Sequence, residues 1–152
     1  MRVITGTARG RKLLAPEGME TRPTTDLVKE AVFSVIHFIV PCANVLDLFA
    51  GSGQMGIEAL SRGAAYAAFI EQNRAAVDCI RDNLRFTHLD GQASVMQSDV
   101  LSAFSRLEGE RPFGIIFMDP PYGKELERAA LEYISLHRPS FVDGQTLIII
   151  EA

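Results

Sequence analysis

The sequence has no tryptophan, only two cysteines and only three histidines. Cys42 and Cys79 fit no metal-ligand or redox spacing and read as small, partly buried side chains. A zinc- or disulfide-stapled scaffold is excluded, no metal is expected, and a reducing, cytoplasmic setting is the simpler inference. His37, His88 and His137 lie on separate segments without a shared spacing, so they form neither a ligand set nor an acid–base pair. Fully apolar stretches are as short as Leu147 to Ile150, and the chain opens on arginine and glycine rather than on a basic-then-apolar leader. The expectation is a soluble protein with no membrane span and no signal peptide. Internal repeats and low-complexity tracts are missing too.

What is present is a length of 152 residues with 47% hydrophobic and 22% charged side chains, the composition of one globular domain. A chain of that size buries roughly 70% of the surface its unfolded form exposes, enough for a core without staples. The net charge of −4 argues against a purely electrostatic nucleic-acid binder. Its distribution is uneven. Residues 1–15 hold Arg2, Arg9, Arg11 and Lys12 with no acid, which leaves eleven basic against nineteen acidic residues in the remainder. Val3 to Leu14 also places Gly6, Thr7, Ala8 and Gly10 between two short β-prone runs, which predicts a small basic hairpin. The division expected is a basic arm over 1–22, treated as an appendage, and an acidic body over 23–152.

Hydrophobic period organises that body. Thr24 and Thr25 can cap a helix with apolar positions Val28, Ala31, Val32, Val35, Ile36 and Ile39, stopped by Pro41. Asn44 to Phe49 reads as a strand feeding into Ala50-Gly51-Ser52-Gly53 and then a helix ending near Gly63. Strands at Tyr66 to Ile70, Ala93 to Gln97, Phe113 to Met118 and Gln145 to Ile150 alternate with helices carrying Val77, Ile80 and Leu84, then Phe104 and Leu107, then Leu126, Ala129, Ala130, Tyr133 and Ile134. Strand–helix alternation implies right-handed crossovers and a mostly parallel α/β sheet covered on both faces, the doubly wound, Rossmann-like architecture. Ligands bind beyond the carboxyl ends of such strands, where Glu71, Asp99, Asp119 and the glycine turn all fall.

Gly51-Ser52-Gly53-Gln54-Met55-Gly56 has the G-x-G-x-x-G spacing, which lets a ligand approach bare backbone at a helix N-terminus. Ile57 stands where a Walker loop needs lysine, so that reading is excluded. Glu71, eighteen residues past Gly53, can accept hydrogen bonds from a ribose diol. Asp47 is a carboxylate inside a strand that wants to be apolar; it either caps amides of its own loop or faces a cationic ligand group. Asp99 either caps the following helix or accepts from an adenine amine. The most specific element is Asp119-Pro120-Pro121-Tyr122, where two prolines make a rigid corner at a strand end. An exocyclic amine is a poor nucleophile because its lone pair is delocalised into the ring. The Asp119 carboxylate and the Pro120 carbonyl can each accept one of its hydrogens, while Tyr122 offers a face on which a flipped base stacks, worth roughly 1–3 kcal/mol.

With these motifs the chain resembles the class I S-adenosylmethionine-dependent methyltransferases that act on amino groups. Gly6-Thr7-Ala8-Arg9-Gly10-Arg11-Lys12-Leu13, and Arg22-Pro23-Thr24-Thr25-Asp26 before Lys29-Glu30-Ala31-Val32-Phe33, are similar to the bacterial family that methylates guanine N2 in 16S ribosomal RNA. The resemblance covers nearly the whole chain. It implies S-adenosylmethionine as cofactor, held by Asp47, Ala50, Gly51, Gly53, Glu71 and Asp99; a catalytic corner of Asp119, Pro120, Pro121 and Tyr122; and ribosomal RNA, or a partly assembled small subunit, contacted by Arg9, Arg11, Lys12 and Arg22. Members of that family continue past the fifth strand, so the resemblance also implies a truncated chain with Leu147 to Ile150 as an exposed apolar edge. Two other functions stay open on the residues alone: an NAD-dependent oxidoreductase using the same glycine turn, and an RNA-binding module with a vestigial pocket. Adenine N6 is an alternative target amine.

Overall fold

The computed structural model describes residues 1–16, 25–120 and 125–151. Five strands, β1 (Asn44–Leu48), β2 (Tyr66–Glu71), β3 (Ala93–Gln97), β4 (Ile115–Met118) and β5 (Leu147–Ile150), form one parallel sheet in the order β3-β2-β1-β4-β5. Five helices lie among them: α1 (Asp26–Ile36), α2 (Gln54–Ser61), α3 (Arg74–Phe86), α4 (Val100–Leu107) and α5 (Leu126–His137). The strand reversal on either side of β1 is the topological switch point that opens a crevice at the carboxyl edge of such a sheet.

Side chains alternating along the three central strands build two cores. Val45, Ala67, Phe69, Ile115 and Phe117 point to one face and pack with Phe33 and Ile36 of α1, Ile57 and Leu60 of α2, and Ile80 and Leu84 of α3. Leu46, Leu48, Ala68, Ile70, Ile116 and Met118 point to the other and pack with Phe104 and Leu107 of α4 and Ala130 and Ile134 of α5. Asp47 has the parity of Val45, so it faces α2. At the sheet edge, Leu147 and Ile150 of β5 are exposed. No helix among the described residues is long and apolar enough to cross a membrane.

The described residues correct four expectations. First, α1 is capped by Thr25, whose side chain accepts from the Val28 amide, but it ends at Ile36, and Val28 and Val35 are exposed. Its inward face is Lys29, Phe33 and Ile36 instead. Second, the arm is packed rather than appended. Arg2 and Lys12 pair as the hairpin's antiparallel bridge, and Val3, Ala8 and Leu13 are buried in the first core. At Gly6 (φ +96°) a Cβ would stand 1.8 Å from the Ser61 carbonyl oxygen, so only glycine lets the hairpin lie this close on α2. Third, Cys42 is exposed at φ 65°, while Cys79 is buried. The last two strands are also shorter than expected: β4 starts at Ile115 because the Phe113 amide is turned to the Phe141 carbonyl (2.9 Å), and β5 starts at Leu147 after an Asp143–Gln145 turn (2.9 Å).

Candidate active site

Register gathers the acids. Leu48 of β1 lies opposite Ile70 of β2 and Met118 of β4, so the residues one step further, Phe49, Glu71 and Asp119, share one level at the carboxyl edge. There β1 breaks sharply: Phe49 (φ 57°), Gly51 (φ 60°) and Gly53 (φ 81°) all take left-handed backbone. The turn is held by the Ala50 amide donating to the Ile70 carbonyl (3.0 Å) and the Gly53 amide donating to that of Ala50 (2.8 Å). A left-handed phenylalanine is strained, and such strain concentrates at functional sites.

The three glycines do different work. A Cβ at Gly51 would meet no atom within 4 Å, so the turn shows bare backbone to open space. At Gly53 it would stand 3.2 Å from Ile80 Cγ2, and at Gly56 2.4 Å from Phe69 Cε2. The first glycine leaves room for a ligand, and the third lets α2 settle on β2.

Gly53 is the N-cap of α2 and has no side chain with which to cap it. Asp47 does so from the strand below: its Oδ2 accepts from the Gly56 amide at 3.1 Å. Burial pushes the Asp47 carboxyl well above the usual carboxylate range; the Gly56 bond opposes this, and the charges of Asp119 and Glu71 add to it. Glu71 is buried with both oxygens engaged, Oε1 by the Gly51 amide and Oε2 by the Asn73 amide, each at 2.8 Å. Asp99 caps α4 by accepting from the Ser102 amide at 3.0 Å, and the Ser102 hydroxyl together with that amide lowers its pKa. Asp119 and Pro120 are half-buried at the end of β4. Pro121 and Tyr122 lie outside the described residues, as does Arg22.

Asp47, Glu71 and Asp119 thus stand around a bare glycine turn at one strand edge. The Gly51 and Gly56 amides, which could cradle an anion, are already taken by carboxylates. The donor set fits a ligand that brings positive charge, amines and hydroxyls, and it disfavours a phosphate. S-adenosylmethionine carries an ammonium, a sulfonium and a ribose diol and has no phosphate, so the residues present fit it. Among the described residues no group of three His, Cys, Asp or Glu could hold a metal ion.

The basic side chains Arg9, Arg11 and Lys12 are exposed on the hairpin, and the Arg11 guanidinium stands 5.3 Å from the ring centre of exposed Phe86. Sequence reasoning passed over the groups that hold this hairpin. Fully buried Glu58 of α2 accepts from the Ile4 amide (2.9 Å), the Thr5 amide (3.1 Å) and Arg62 Nε (2.9 Å), with the buried Lys29 ammonium at 3.6 Å. Lys29 Nζ donates to the Arg2 carbonyl at 2.6 Å; burial lowers its pKa, and Glu58 and Asp26 partly restore it. The available signal was a lysine in phase with Phe33 and Ile36 on the buried face of α1. Asn83 of α3 was also missed, and nothing in its local sequence singles it out.

A family model described as conserved hypothetical protein 95 matches residues 1–152. The chain is 39% identical over 152 residues to ribosomal RNA small subunit methyltransferase D of Escherichia coli, covering all of this chain and 74% of that protein. It is 33% identical to the protein of the same name from Haemophilus influenzae, over 88% of this chain and 70% of that one. The solved structure of yhhF from Escherichia coli superposes with a TM-score of 0.86 at 35% identity, covering 100% of this chain and 80% of that one. A Thermus thermophilus protein, TTHA0928, follows at 0.82 and 29%, over 99% and 84%. With a carboxylate-ringed glycine turn at the switch point and these relatives along its whole length, the chain belongs to the conserved hypothetical protein 95 family of methyltransferases.

Proposed function

We propose that this protein transfers a methyl group from S-adenosylmethionine to the exocyclic N2 amine of a guanine in small-subunit (16S) ribosomal RNA. The observation that carries the reading is the capture of the Gly51 and Gly56 amides by Glu71 and Asp47. A dinucleotide enzyme needs such amides for a pyrophosphate. Here an incoming phosphate would meet carboxylates instead, so the NAD-dependent alternative is disfavoured although the glycine spacing is the same. The names of the Escherichia coli and Haemophilus influenzae relatives support a small-subunit RNA substrate, and the choice of guanine N2 over adenine N6 rests on the family.

In this reading Ala50, Gly51 and Gly53 let the cofactor lie against bare backbone. Glu71 accepts from the ribose hydroxyls on lone pairs that the Gly51 and Asn73 amides leave over, since a carboxylate has about four such sites. Asp47 fixes the turn and balances the cofactor's ammonium, and Asp99 accepts from the adenine amine beside its capping bond. When bound, the cofactor supplies a methyl group on a sulfonium leaving group, so no covalent enzyme intermediate is required. Asp119 and the Pro120 carbonyl accept the two hydrogens of the target amine and aim its nitrogen; Pro121 stiffens that corner and Tyr122 stacks on the base. Arg9, Arg11, Lys12 and Arg22 meet phosphates of the RNA, each contact making binding more salt-sensitive. Catalysis then comes mainly from positioning.

Calorimetric titration separates the two cofactor readings. Saturable binding of S-adenosylhomocysteine with no heat from NADH is expected, and the opposite pattern rejects the proposal.

A further inference from the structure

We propose that Asn83 is a positioning residue that couples the basic arm to the glycine turn, so that RNA held on the arm and cofactor held on the turn strengthen each other's binding. This inference rests on the functional reading above and adds to it a link between its two ligands.

Asn83 lies on the buried face of α3, 1% exposed, and apart from a long 3.7 Å contact with Cys79 Sγ on its own helix its amide bonds two other segments. Its Oδ1 accepts from the Leu14 amide at 2.8 Å, and its Nδ2 donates to the Leu14 carbonyl at 3.0 Å. The side chain therefore pairs with both polar groups of one arm residue, as a neighbouring strand would. The second Nδ2 hydrogen goes to the Ser52 carbonyl, also at 3.0 Å, between the two glycines of the turn. A leucine could fill the same space, but only a primary amide can serve Leu14 twice and Ser52 once. The other end of the arm touches the same turn, since the Ser52 hydroxyl donates to Met1 Sδ at 3.4 Å. Between these ends Glu58 holds the Ile4 and Thr5 amides to α2, the helix that starts at Gly53. The arm thus meets the turn at both ends and is held in its middle to the helix that follows the turn.

The consequence is thermodynamic. A ligand that orders the turn fixes the Ser52 carbonyl, and through Asn83 it fixes Leu14 and the returning limb of the hairpin. RNA then meets a returning limb that, exposed at Leu14, has already lost its remaining freedom, so the second ligand bears less ordering cost. Linkage makes the effect reciprocal.

The test measures the affinity of the enzyme for unmodified small-subunit ribosomal RNA with and without saturating S-adenosylhomocysteine. For the wild type the ligand is expected to tighten RNA binding about fivefold or more, the lower end of typical coupling. In Asn83→Asp, which keeps the volume but removes both donors, the ratio is expected to fall to about one. Leu14→Pro, which deletes the N–H that Asn83 accepts and leaves the turn untouched, is expected to do the same and serves if Asn83→Asp fails to fold. A merely structural asparagine would weaken both binary affinities and leave their ratio intact. No binding of S-adenosylhomocysteine to the wild type overturns the methyltransferase reading and this inference with it. Binding with a wild-type ratio of one overturns the coupling alone, and a ratio preserved in both variants overturns the role of Asn83.

Discussion

Asp119→Ala is expected to lower methyl transfer on the order of 10²-fold or more while S-adenosylhomocysteine binding stays close to wild type. The reason is a separation of duties along the strand edge. Glu71 and Asp47 reach the glycine turn directly through the Gly51 and Gly56 amides, whereas Asp119 stands across β1 from Glu71 at the end of β4. Removing its carboxylate leaves the turn's hydrogen bonds in place. What is lost in the proposed mechanism is the acceptor that aims the amine nitrogen, and misplacing a reacting atom by about 1 Å is enough for a 10²-fold loss. Part of the like-charge pressure on Asp47 also disappears, because Asp119 is the larger of the two charges that raise its pKa. Single-turnover rates and calorimetry on the same preparation decide the matter: undiminished transfer removes Asp119 from the chemistry, and a parallel loss of cofactor affinity makes it part of the cofactor site.

Glu58→Ala is expected to be the most destabilising single substitution of the arm's anchorage, at about 3–5 kcal/mol, the usual cost of breaking a buried ion pair from one side. The Lys29 ammonium, fully buried, would keep only the Arg2 carbonyl and the partly exposed Asp26 at 3.7 Å. The Ile4 and Thr5 amides and the Arg62 guanidinium would lose their acceptor as well. A double variant, Lys29→Met with Glu58→Leu, is expected to recover the ion-pair share of that loss but not the share of the two amides, because apolar replacements satisfy no backbone donor. Denaturant midpoints of the three proteins read this out. A loss below about 1 kcal/mol for Glu58→Ala would place the network among ion pairs that matter little to stability.

The elements of the fold were legible because each has its own local period, and α3 illustrates this: Val77, Ile80 and Leu84, picked from spacing, are all buried. The acids at the strand ends were legible for a related reason. A polar residue closing an apolar run of parallel-sheet length has few places to go except the carboxyl edge, and Glu71 and Asp119 went there. What escaped depends on contacts far apart in sequence. The phase of α1 is set by the arm, whose Arg2 carbonyl receives the Lys29 ammonium, so Val28 and Val35 turn outward although their spacing is helical. The arm amide that Glu58 receives from Ile4 and the one Asn83 receives from Leu14 come from 54 and 69 residues away, beyond any local pattern. The arm looked detachable because its charge is what the composition displays; its three buried residues, Val3, Ala8 and Leu13, are apolar and too widely spaced to form a run. Asp99 shows how one position can serve two readings, since the capping bond it makes to Ser102 needs only one of its oxygens.

If the acidic strand edge and Asp119-Pro120 present a base amine to an activated methyl group, the modified nucleoside reports it. Incubating the enzyme with methyl-labelled S-adenosylmethionine and small subunits, or their RNA, from cells lacking this activity, then digesting the RNA to nucleosides, tests it most directly. Label is expected in N2-methylguanosine of the small-subunit RNA, with its rate of incorporation reduced on the order of 10²-fold or more when Asp119 is replaced by alanine. Label in a different nucleoside, or an RNA that stays unlabelled while the cofactor binds normally, would contradict it.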